Sequence, residues 1–306
     1  MEKKIRIGIV GLGQIAQKAY LPILSKALDW ELIGAFSPGV EKREKICKQY
    51  RMNSFSSLAA LADKCDAIFV HSSTETHYEV VSYLLSNGVD VYVDKPLAST
   101  IDEAERLVEL SEKNKRKLMV GFNRRFAPMY RKAKELAGDF VWASMEKHRA
   151  TSVGPLDYRF TMLDDYLHLV DTIRFIAGED IKISDSFSKL NEQQHLVYAN
   201  HNYKGEKRLF SSAMHRQAGS NIEKLEFVTS NSIVRVFNMN KLEVEKDQTI
   251  HTSSLGSWDS ILKTRGFEDC IYHFISSIQN DQIPEVSGQE AVKSQQLLER
   301  IITTMN

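Results

Sequence analysis

The first third of the chain alternates short apolar runs with longer segments whose apolar residues recur at helical spacing. The apolar runs predict strands over Ile5–Val10, Glu31–Phe36, Ala67–Val70, Val89–Val93 and Lys117–Val120. The intervening segments predict helices over Gln14–Leu28, Val40–Tyr50, Thr76–Ser86 and Ile101–Asn114. Strands alternating with helices of this length imply parallel βαβ units, and near-continuous apolar strands are those covered on both faces. After about Phe122 the rhythm changes. Helices are expected over Met129–Leu136 and over Leu163–Ile176, the second ending at Gly178. Strand-like runs follow at Val141–Lys147, Ile183–Leu190, His195–Tyr203, Arg208–Met214, Ile222–Thr229 and Ile233–Phe237. Polar turns such as Tyr203-Lys204-Gly205 join them, as in an antiparallel sheet. Two helices close the chain, Ile261–Gln279 and Gln289–Ile302. The fold class read from this pattern is α/β, with a doubly wound parallel sheet in residues 1–122. An α+β domain with an open, mainly antiparallel sheet is expected in 123–306.

The first strand leads into Gly11-Leu12-Gly13-Gln14-Ile15-Ala16, a G-x-G-x-x-A turn between a strand and a helix. Gly11 permits the tight turn, Gly13 lets backbone approach a pyrophosphate, and Ala16 permits close packing of helix on strand. Gln14 and Ile15 open the helix, whose first N–H groups and dipole suit phosphate. In this context the turn predicts a dinucleotide site. The second strand ends at Ser37, where NAD enzymes usually carry an acid for the ribose 2′-hydroxyl; the first carboxylate is Glu41. Ser37, followed by Lys42 and Arg43, favours NADP over NAD, unless those two cations lie on a solvated helix face. Ser72, Ser73, Thr74 and His77 follow the next strand and are candidates to line the cofactor, Thr74 or Thr76 serving equally well as a helix cap. Asp94 and Lys95 end the fourth strand before Pro96. That places Lys95 at the carboxyl edge of the sheet, where open α/β sheets bind ligands.

These motifs resemble the Gfo/Idh/MocA family, the glucose–fructose oxidoreductase and inositol dehydrogenase group. Its Glu-Lys-Pro motif is similar to Asp94-Lys95-Pro96, and its domain crossover to Val120-Gly121-Phe122-Asn123-Arg124-Arg125-Phe126. Leu163-Asp164-Asp165-Tyr166-Leu167-His168 resembles the MviM-like subgroup. The resemblance implies NAD(P)-dependent oxidation or reduction of a sugar, polyol or related hydroxy or keto compound. It implies Lys95, Asp164 and His168 as catalytic residues, and a homodimer or homotetramer formed through the second sheet. Two departures stand out. The motif acid is Asp94 rather than Glu, and Arg159-Phe160-Thr161-Met162 replaces a run of glycines, which reshapes the substrate pocket.

On a helix Asp164 and His168 share a face, with Asp171 and Thr172 one turn on and Asp165 turned away. A carboxylate beside an imidazole raises its basicity, so His168 can take the alcohol proton while Lys95 stabilises the alkoxide; the two roles are exchangeable. The alternative for Asp164 and His168 is a buried ion pair. Asn123 and Arg124 follow the last parallel strand and are candidate substrate ligands, with Arg125 as a further cation for an anionic group. The alternative there is a salt-bridged hinge. His148, Arg149 and His215 read as surface or structural residues that could line a far wall, and Trp258 reads as core rather than as a cover for a sugar.

Composition excludes some classes. Lys+Arg and Asp+Glu both number 40, so no whole-chain field draws nucleic acid. The three cysteines, Cys47, Cys65 and Cys270, lie far apart, as reduced buried thiols do. No metal-ligand spacing, secretion signal or spanning segment is read, so a cytoplasmic protein without metal is expected. Two other functions compete: a catalytically silent nucleotide-binding sensor or partner protein of the same fold, and a redox-neutral reaction that recycles its cofactor.

Overall fold

The structure of the chain, a computed structural model, describes residues 4–26 and 28–304. It divides into two compact units. The first holds the described residues up to Phe122 together with Phe267–Lys293, and the second holds Asn123–Gly266 with the described residues from Ser294 on. Phe267–Lys293 thus packs with the first unit, whereas the sequence reading assigned it to 123–306. Its return is anchored at the sheet edge, where Val120 N donates to Val286 O at 3.0 Å.

The first unit is built on six parallel strands: β1 (Ile5–Val10), β2 (Trp30–Phe36), β3 (Asn53–Ser54), β4 (Ala67–Val70), β5 (Asp90–Val93) and β6 (Leu118–Val120). Their order is β3-β2-β1-β4-β5-β6, the doubly wound arrangement. Every residue of β4 and β5 is buried, as strands covered on both faces require. The short β3 and the helix Leu58–Ala62 carry too few residues for a periodic signal and were not read from sequence. The first helix ends at Leu24 rather than Leu28, and Ala16–Tyr20 within it has π geometry. Thr100 and Glu103 form a capping box at the start of Ile101–Lys113.

The second unit carries eight strands: β7 (Phe140–His148), β8 (Lys182–Leu190), β9 (Leu196–Lys204), β10 (Leu209–His215), β11 (Ile222–Thr229), β12 (Ile233–Phe237), β13 (Lys241–Lys246) and β14 (Thr249–Ser254). Their order is β14-β13-β12-β11-β7-β10-β9-β8, and among the described residues β7 with β10 is the one parallel pair of this sheet. Helices Pro128–Ala137 and Leu167–Ala177 cover one face, and β11 and β12 alternate buried and part-exposed residues accordingly. The hairpin β13–β14 was not read from sequence. Its turn uses Asp247 and Gln248 at φ of 50° and 62°, without the glycine that usually marks such turns. The expected helix Ile261–Gln279 is two, Ile261–Thr264 and Phe267–Gln279, broken at Gly266. Gly266 has φ of +77°, and a side chain there would strike Asn123 O and the Ala127 amide. Trp258 is 99% exposed, which overturns its reading as core.

Candidate functional site

At the centre of the first sheet, β1 and β4 lie side by side where the strand order reverses, and both carboxyl ends open there. Gly11 follows β1 at φ of +87°, and a Cβ on it would sit 2.6 Å from the backbone of His71 and Ser72. Only glycine fits, by conformation and by space. Gly13 faces open space, with nothing within 4 Å of where a Cβ would stand. Gln14 is exposed and Ile15 is 39% exposed, while Ala16 is fully buried. The helix that starts here leaves its first amides without intrahelical acceptors. A closed turn, an open glycine and free first-turn amides fit a pyrophosphate.

Beside this turn, Ser37 is part-exposed. Arg43, 6% exposed, donates from Nη1 to Ser37 O at 2.8 Å and from Nε to Ser54 Oγ at 2.9 Å. The solvated-face alternative therefore holds for Lys42, which is exposed, and fails for Arg43. Ser72 and Thr74 are part-exposed and Ser73 exposed. Thr76 Oγ1 lies 2.8 Å from both Ser72 Oγ and Ser73 O, donating its one proton to the Ser73 carbonyl and able to accept from the Ser72 hydroxyl.

His77 was expected among the cofactor contacts. Its ring is instead 1% exposed and lies between Pro96 O at 2.9 Å and Ser72 O at 3.1 Å. Burial lowers its pKa, although Pro96 O favours the protonated form. His77 thus ties the Ser72 loop to the segment that carries Lys95. That segment leaves β5 through Asp94, whose Oδ1 accepts from Lys95 N at 2.8 Å; both residues are part-exposed. His71, not singled out from sequence, is buried at the end of β4 with neither ring nitrogen bonded, and burial pushes its pKa down to about 3. It remains neutral at neutral pH, under the Gly11 turn.

The second unit disposes of the crossover residues differently from the expectation. Asn123, 4% exposed, donates from Nδ2 to Arg265 O at 2.7 Å. Arg124 forms a two-pronged bond with Glu223, 2.8 Å at each prong, and Tyr130 Oη donates to the same carboxylate at 2.9 Å. Burial alone would raise the Glu223 pKa, but Arg124, with Lys147 and Tyr130, brings it down to about 2. Arg125 grips Asp171 with Nε at 2.9 Å and Nη2 at 2.6 Å. Asn123 and Arg124 are therefore taken up within the unit, Asn123 by a hydrogen bond and Arg124 by an ion pair that does not leave it, so Arg124 is salt-bridged but not as a hinge. A polar group in a strand position that should be apolar, as at Glu223, is the one sequence signal that could have warned of this.

Asp164 and His168 lie on one continuous helical stretch, of which Met162–Tyr166 has π geometry and Leu167–Ala177 α geometry. Four residues remain close to one turn in either form, so the pair shares a face; Asp164 is exposed and His168 part-exposed. The buried-pair alternative fails for Asp164 on exposure. Thr172 Oγ1 donates to His168 O at 2.7 Å. Asp171 does not extend an open face, since it is 1% exposed and bound to Arg125. Where glycines were absent, Arg159 pairs with Glu299 at 2.7 and 3.0 Å and Met162 is fully buried. His148 Nδ1 accepts from His215 N, and His215 Nδ1 from Gln217 N, each at 3.0 Å; both rings brace strand ends.

A family model described as an oxidoreductase family with NAD-binding Rossmann fold matches residues 5–122, and one for the YceM-like C-terminal domain matches 128–247. YceM of Salmonella typhimurium, classed as an oxidoreductase by name, is 46% identical over 98% of this chain and 97% of its own. The chain belongs to the Gfo/Idh/MocA family. Another member of known structure, a dehydrogenase (MviM) from Clostridium difficile, superposes with a TM-score of 0.97 at 47% identity, covering 99% of this chain and 100% of that one. Within the Gfo/Idh/MocA family, the myo-inositol 2-dehydrogenase of Thermotoga maritima is 30% identical over 58% of this chain and 56% of its own. The Rossmann domain and these dehydrogenase relatives make the chain an oxidoreductase-family protein built to bind a nicotinamide cofactor. Among the described residues, no helix is long and apolar enough to cross a membrane.

Proposed function

We propose that the protein is an NAD(P)-dependent dehydrogenase or reductase acting at a CH–OH carbon of a sugar, polyol or related hydroxy or keto compound. The observation that carries this reading is the pairing of the Gly11 turn with Lys95 on one carboxyl edge of the parallel sheet. The cofactor, when bound, supplies or accepts the hydride. Leu12, Gly13 and the first-turn amides at Gln14 and Ile15 would hold its pyrophosphate, and Ser72, Ser73 and Thr74 its ribose and nicotinamide. Asp94 orients the Lys95 segment through the Lys95 amide. Lys95 donates to the substrate oxygen and stabilises the developing alkoxide. His168 takes the alcohol proton, with Asp164 supporting its basicity.

NADP is favoured over NAD. Arg43 is held at the Ser37 carbonyl, so the end of β2 carries a cation where an NAD enzyme would place a carboxylate. The proposal includes a homodimer or homotetramer through the face of the second sheet opposite its helices. Glu146, Lys224, Glu226, Arg235 and Glu245 form a ladder of ion pairs across that face. Sedimentation velocity tests this, a monomer at micromolar concentration being the contrary result. A cytoplasmic setting fits three buried cysteines, none of them in a disulfide among the described residues.

The test of the function is a titration with NADPH and NADH side by side, followed by a sugar and polyol panel with wild type, Lys95→Ala and His168→Ala. Cofactor binding kept and turnover lost in both variants supports the reading. Cofactor binding without turnover on any substrate favours the silent nucleotide-binding protein. Failure of both cofactors to bind refutes both.

A further inference from the structure

A second cluster of charge gathers about Asp165, the residue that follows Asp164. Lys147 near the end of β7, Arg149 just past it and Arg216 just past β10 all converge on Asp165. Because β10 runs parallel to β7, the carboxyl ends of the two strands lie side by side; Arg149 N donates to His215 O at 2.8 Å. Lys147 Nζ and Arg216 Nη1 each donate to the Asp165 carboxylate. Arg149 adds Nε at 3.1 Å and Nη2 at 3.0 and 3.1 Å.

The charge does not balance. Three cations meet one carboxylate, and the neighbouring Arg124 is already matched by Glu223. Two positive charges are left over in a cluster whose side chains are 7% (Lys147), 14% (Arg216), 37% (Arg149) and 9% (Asp165) exposed. Donors are left over as well. The Lys147 ammonium has three protons and one acceptor among the described residues, while Arg149 Nη1 and Arg216 Nη2 bond none of them. Asp165 cannot take more, since its two oxygens already accept from all three side chains. Cations crowded about one acid repel one another and are poorly hydrated, an arrangement that an added anion would relieve. The same surplus shows in Lys147, whose pKa burial and Arg124 push down to about 8.

We propose that Lys147, Arg149 and Arg216 form a receptor for an oxyanion carried by the substrate, so that the substrate is a sugar acid or sugar phosphate rather than a neutral polyol. The link to substrate rests on the oxidoreductase reading, in which Asp164, on the same helical stretch as Asp165, serves the reacting carbon. The sequence reading looked for an anion site at Arg124 and Arg125; both are consumed by Glu223 and Asp171, and the spare donors lie here instead.

The experiment is calorimetric titration of the full chain, with and without saturating NADPH, using inorganic phosphate, gluconate and neutral glucitol as probes. Saturation with NADPH keeps phosphate out of the dinucleotide site. Phosphate or gluconate should bind and glucitol should not. Arg149→Gln and Arg216→Gln should each weaken anion binding about tenfold or more, the loss of one charge-assisted fork. The stronger of the two anions tells which source of the oxyanion the site prefers. Anion binding absent in wild type, or unchanged in both variants, or matched by glucitol, overturns the receptor. Should the glutamine variants not fold, Arg149→Lys and the Nε–H resonances of Arg149 and Arg216 in wild type serve instead. Resonances that stay put on adding a bound anion overturn it equally. NADPH failing to bind while phosphate binding still requires Arg149 would sink the oxidoreductase reading and leave the receptor standing.

Discussion

Arg124→Met is the sharpest test of how the second unit holds its charges. Arg124 and Glu223 are each 9% exposed and joined by two bonds of 2.8 Å. Removing the arginine strands a buried carboxylate, which typically costs about 3–5 kcal/mol. Glu223 keeps the Tyr130 hydroxyl at 2.9 Å and the nearby Lys147 charge, so the lower end, about 3 kcal/mol, is expected. In a unit of this size that lowers Tm by roughly 10 °C. Glu223→Gln, which strands the guanidinium, should be similarly damaging. The double change removes both charges and keeps an oxygen for Tyr130, so it should recover about 2 kcal/mol relative to the sum of the singles. Urea unfolding of the four proteins, followed by circular dichroism, measures the cycle. Single variants losing under about 1 kcal/mol, or strictly additive effects, would refute the argument. So would a raised KM with stability intact, which would return Arg124 to substrate binding.

Three further outcomes are expected. Gly11→Ala forces a Cβ against the His71 and Ser72 backbone at positive φ, so NADPH affinity should fall at least about tenfold by fluorescence titration; unchanged binding would show that the turn does not hold the cofactor. Arg43→Ala should weaken NADPH several-fold and leave NADH unaffected, equal losses for both being the contrary result. Stability should fall in acid: Glu223 is held at about 2 against an ordinary 4.5, so its contribution is complete above pH 4.5 and is lost as pH drops toward 2. Lys147, held at about 8 against 10.5, acts in the other window, where the unfolded chain keeps the proton longer and stability rises from about pH 8 to 10.5. Urea midpoints across pH check both signs, and Glu223→Gln should flatten the acid limb.

Much of the first unit was legible in the chain because its signals are local. The βαβ rhythm follows from side-chain period, and the demand for glycine at position 11 follows from one turn; Lys95 falls at a strand end because Pro96 stops β5. The strand pattern of the second unit was legible for the same reason, up to the β13–β14 hairpin, whose Asp247-Gln248 turn lacks the usual residue signature. What only the tertiary structure decided was which charges meet. Nothing near Arg124 in sequence names Glu223, and nothing near Asp165 names Arg216; packing of the segments that carry Arg124 and Asp165 against strands of the second sheet brings them together. The return of Phe267–Lys293 to the first unit and the capture of Arg43 by Ser37 are likewise long-range facts or fine geometry. A residue's period fixes the face it occupies, but its partner is set by elements far away in the chain. For an arginine, that partner decides whether its charge is spent within the fold or left over for a ligand.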